Sequence, residues 1–189
     1  MKLFKKLMAA ALAGVMALSV FTGCATVNKK SLVDYLNDSK VLAKVGTTDT
    51  GIATIEEGDG ALAREVLNKV ATYAKNHTVK NYTTEASAAA GALGSLHYTE
   101  GDYAHSDSIV PKDTKDAYYV AYAQLTNYKS DEYQSKSYYL MANSMQYTAV
   151  ALNKIEDMTT LGDKAVASIA SKNIGGETFV VAVFVQAAK

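Results

Sequence analysis

The residues best suited to chemistry crowd into one short stretch. His97, Glu100, Asp102, His105 and Asp107 fall within eleven positions. Neutral imidazole nitrogens and carboxylate oxygens bind zinc and similar ions, so His97, Glu100, Asp102 and His105 are candidate metal ligands. Their spacing, H-x2-E-x-D-x2-H-x-D, matches no familiar metal motif. The stretch reads more simply as a solvated acidic loop, whose ordering around an ion would cost conformational entropy. His77 closes a helical segment, where it could serve as a base or ligand. A cation favoured by the helix dipole is the simpler reading. There is no G-x-S-x-G elbow to present a nucleophile. Glu57-Gly-Asp-Gly60 puts acids where a phosphate loop would need amides. Tyrosine is abundant at 13 residues, against 4 Phe and no Trp. Tyr118, Tyr119, Tyr122, Tyr138 and Tyr139 are candidate binding residues, able to stack on sugars or anchor a protein partner. The alternative is that they form the outer shell of the core.

The elements that must position these residues follow from periodicity. Ser31-Leu-Val-Asp34 has capping-box spacing, which predicts a helix starting there, with Leu32, Val33, Leu36 and Ala43 inward and Gly46 at its end. Residues 46–60 are rich in turn formers, with room for a short strand around Ile52 to Ile55. From Ala61 to Lys75 the apolar positions Ala63, Val66, Leu67, Val70 and Ala74 mark one helix face, and Asp59 is placed to cap it. Thr84 to Leu96 is alanine-rich and helical despite Gly91 and Gly94, and a loop follows over 97–111. Asp113 to Tyr128 is ambiguous between helix and strand, with Asp113 and Asp116 at its front favouring helix. Ser130 to Ile155 is expected to be a long helix, although Tyr147 to Ile155 could instead peel off as a strand. The C-terminus reads as a β-hairpin, Ala165 to Ser171 and Thr178 to Gln186, flanking Asn-Ile-Gly-Gly. Phe179 to Val185 is apolar on both faces and so belongs at the centre of a sheet covered on both sides. The expected class is α+β: an antiparallel sheet with a C-terminal hairpin, covered by helices, in one domain over 31–189.

The first 24 residues carry a different message. Lys2, Lys5 and Lys6 precede an uncharged run from Leu7 to Phe21. That run suits an export signal and is short of the roughly 20 residues of a transmembrane helix. It ends in Phe21-Thr22-Gly23-Cys24, which resembles the lipobox of bacterial lipoproteins apart from Phe in place of the usual Leu. The resemblance implies cleavage after residue 23, lipid attachment at Cys24, and residues 24–30 as a lipidated tether on the extracytoplasmic face of the cell membrane. Cys24 is the only cysteine, so no intramolecular disulfide can form. Two acyl chains are enough for stable anchoring where one is marginal. Removing residues 1–23, with their three lysines, leaves 16 basic against 19 acidic residues, a formal charge of −3. Without a basic stripe, nucleic acid is not an expected partner.

The segment 61–77 ending in His77, with the closing Gly175-Gly-Glu-Thr-Phe-Val-Val-Ala-Val-Phe184, resembles the cysteine-rich secretory/antigen/pathogenesis-related (CAP) superfamily. The resemblance implies an α-β-α sandwich. Ser135-Lys-Ser-Tyr138 stands where that superfamily often has a second His, which implies binding rather than catalysis. The leading expectation is thus a non-catalytic binding module of the cell envelope, with no cofactor and with a cell-wall glycan or envelope protein as partner. The other reading is a small extracellular enzyme, such as a metal-dependent hydrolase. A site binding only the folded chain stabilises it by about 2.7 kcal/mol at a hundredfold excess of ligand over Kd. An ion held at 97–107 should therefore raise the thermal unfolding temperature of residues 25–189 with zinc, calcium or manganese, and His97→Ala should abolish the rise. No shift with any ion would remove the metal reading.

Overall fold

From Phe179 to Val185 no side chain is polar, and the fold covers both faces of this run. The structure is a computed structural model that describes residues 27–38, 50–77, 83–96, 109–125, 141–145 and 149–189. In chain order its elements are α1 (Lys29–Leu36), β1 (Thr54–Glu57), α2 (Ala61–His77), α3 (Glu85–Gly94), β2 (Ala117–Gln124), β3 (Val150–Ala151), β4 (Leu161–Ile174) and β5 (Glu177–Ala188). The sheet runs β1-β4-β5-β2-β3, with β5 at its centre. β1 lies parallel to β4 and the other pairings are antiparallel, so the sheet is mixed rather than wholly antiparallel.

Alternation along the strands sorts the core into two layers. Val180, Ala182 and Phe184 of β5, with Ala167 and Ile169 of β4 and Tyr119 of β2, face Leu32, Val33 and Leu36 of α1 and Met141 and Met145 of a helical turn at 141–145. Phe179, Val181 and Val183, with Ile174, Tyr118 and Val120, face Val66, Leu67 and Val70 of α2 and Ala88, Ala92 and Leu93 of α3. Helices therefore cover both faces of an α+β sheet.

Helix starts explain how the chain reaches these layers. α1 begins three residues before the expected position. Its N-cap is Asn28, whose side chain accepts the Ser31 N–H at 3.1 Å, while Asp34 pairs with Lys30 at 3.1 Å on the surface. Val27 already packs against the core, so residues 27–30, read from the sequence as tether, belong to the domain. α1 closes at Leu36, and Ala43 and Gly46 lie outside the described residues. Asp59 caps α2 as expected, accepting the Ala61 N–H at 2.8 Å, and the Ser168 hydroxyl of β4 accepts the Ala63 N–H at 3.1 Å. Thr84 and Ser87 form a capping box at α3.

Two expectations fail for tertiary reasons. Residues 117–124 are a strand, not the favoured helix, because the run is wanted between β5 and β3, where its alternate side chains fill opposite layers. Of the acids thought to open a helix, Asp113 sits in a turn with φ 63°, and Asp116 accepts the Ala188 N–H at 2.9 Å. Of the two readings of 130–155, the uninterrupted helix gives way to the strand expected within 147–155, while residues 130–140 lie outside the described residues. The chain is extended by Val150, pairs with β2, and donates from Leu152 N–H to the Tyr118 carbonyl at 2.7 Å. The hairpin is longer and tighter than expected, leaving only Gly175-Gly176 as its turn.

One edge of the sheet is closed by a side chain. The amide of Asn37, just past α1, accepts the Ile55 N–H at 2.8 Å and donates to the Ile55 carbonyl at 2.7 Å.

Gly175 and Gly176 both have positive φ, 61° and 86°, as a two-residue type I′ hairpin turn requires. A Cβ at 175 would stand 2.6 Å from Ala86 N and 2.8 Å from Glu85 Cβ, whereas one at 176 would meet nothing within 4 Å. In urea unfolding, Gly176→Ala should cost about 1–2 kcal/mol for the left-handed backbone alone. Gly175→Ala should cost about 1–3 kcal/mol more for the clash with α3.

Candidate functional site

The described tyrosines do not share one surface. Tyr118, Tyr119 and Tyr122 lie on β2, and the strand's period of two sends Tyr119 into the α1 layer and the other two into the α2–α3 layer. Tyr119 is buried, and its hydroxyl donates to Gln186 Oε1 at 3.1 Å. Gln186 Nε2 in turn donates to the Thr50 and Gly162 carbonyls, each at 2.6 Å. This fully buried amide thus ties β5 to β2, to the start of β4 and to the segment entering β1. Burial pushes the Tyr119 phenol above its ordinary pKa. Tyr118 is also raised, first by burial and then by the nearby Asp116 carboxylate. The Tyr122 hydroxyl sits under the end of α3, 3.6 Å from where a Cβ on Gly94 would stand.

The other sequence candidates divide between placed and undescribed residues. His77 is the last residue of α2. Cys24, His97, Glu100, Asp102, His105, Asp107, Tyr138 and Tyr139 lie outside the described residues. Among the described residues, no group of three or more His, Cys, Asp or Glu is placed to share a metal ion. No helix among them is long and apolar enough to cross a membrane.

On the α2 side, part of the sheet face remains open. α2 starts at the level of Ser168. Nearer the beginning of β4, a cross-strand row runs Glu56, Val166, Val185, Tyr118. Val166 is 43% exposed there, and Lys164 pairs with Glu56 at 3.2 Å beside it. At this row Val166 presents apolar surface beside the Lys164–Glu56 pair, while Tyr118 at its far end is buried.

Several structural polar residues escaped the sequence reading. Gln186 has a signal, since it is the one polar side chain between Phe179 and Ala188. Asn153 has none. Its side chain accepts the Tyr118 N–H and donates to the Asp116 carbonyl, both at 2.9 Å, bonds that only the folded chain defines.

No protein-family model, curated protein or solved structure matches this chain.

The buried amide yields a stability test. Tyr119→Phe leaves Gln186 Oε1 without its partner and should cost about 1–3 kcal/mol. Gln186→Leu strands the Tyr119 hydroxyl and two carbonyls and should cost more. Because folding raises both tyrosine pKa values, their contribution is fully present below the unfolded value near 10.0. It is lost as pH rises from there through the folded values, since the unfolded chain ionises first. Urea unfolding measured between pH 8 and 11.5 should show this decline, and Tyr119→Phe should make it shallower.

Proposed function

We propose that this chain is a lipid-anchored protein on the extracytoplasmic face of a bacterial cell membrane, and that its domain is a non-catalytic binding module. The observation that carries the reading is Cys24. It is the sole cysteine, it ends a basic then apolar leader, and it stands three residues before Val27, the first of the described residues and one packed on the core. The exported side of a membrane exposes the domain to cell-wall glycan and to envelope proteins, the partner classes this reading assigns.

Among the described residues, the buried polar side chains are spent on the fold, which fits a binding module. The Gln186 amide, the Ser168 hydroxyl and the Thr50 hydroxyl all bond to neighbouring chain groups. A catalytic group needs a polar atom aimed at substrate and tuned for it. These residues aim theirs at the backbone and, for Gln186, at the Tyr119 hydroxyl.

Anchoring has a direct test. Cys24→Ala should release the protein from the membrane fraction into the soluble fraction of the cell that makes it. Unchanged retention would sink the reading.

A further inference from the structure

We draw no further inference here: the strongest candidate, the open stretch of sheet face on the α2 side where Val166 stands exposed beside the Lys164–Glu56 pair, carries nothing because nothing in the structure shows what covers it.

Discussion

The whole arrangement depends on a strand that cannot face water on either side. From Phe179 to Val185, β5 carries only apolar side chains, and Phe179 to Phe184 are at most 1% exposed. Fully burying a Val or Phe side chain contributes about 1.5–3 kcal/mol, and here the gain is available in both directions. Meeting it takes two strands to shield the backbone and two layers of helix to shield the side chains. β4 and β2 supply the first, and α1 with the helical turn at 141–145, then α2 with α3, supply the second.

What the sequence makes legible is what local pattern controls. α2 follows from Ala63, Val66, Leu67, Val70 and Ala74, and β5 from an unbroken apolar run that follows the Gly175-Gly176 turn, because each element's own pattern states its burial. β2 shows the opposite case. Its Tyr118, Tyr122 and Leu125 fit a helical step, and Asp113 and Asp116 look like first-turn acids, yet the strand forms because β5 needs a neighbour. The start of α1 shows a third case. Asn28 and Ser31 are both competent caps, and packing of Val27 against the core accompanies the earlier one. Bonds such as Tyr119 to Gln186, 67 positions apart, have no local signature.

The polar interior and the surface of the domain do different work. Gln186 and Ser168 inside, and the half-buried Asn153, act as fasteners between elements that sequence distance keeps apart. Each bonds a backbone group that would otherwise be buried without a partner, a loss comparable with the whole net gain of several ordinary hydrogen bonds. Outside, the charged pairs Lys30–Asp34, Glu65–Lys69 and Glu56–Lys164 are solvent-facing, where such pairs contribute little. The fold is thus held by burial and by a few well-placed amides, and its surface charges are free to vary with the surroundings.

Asn37 gives the sheet edge a consequence beyond its own stability. By meeting both backbone groups of Ile55, its amide imitates one residue of a further strand and then ends, since nothing in a side chain can propagate a ladder. An open edge strand invites pairing with another chain. A single amide at the middle of a four-residue strand removes the central rung from which such pairing would grow. On this edge the ladder is thus interrupted at Ile55 without any extra element to cover it.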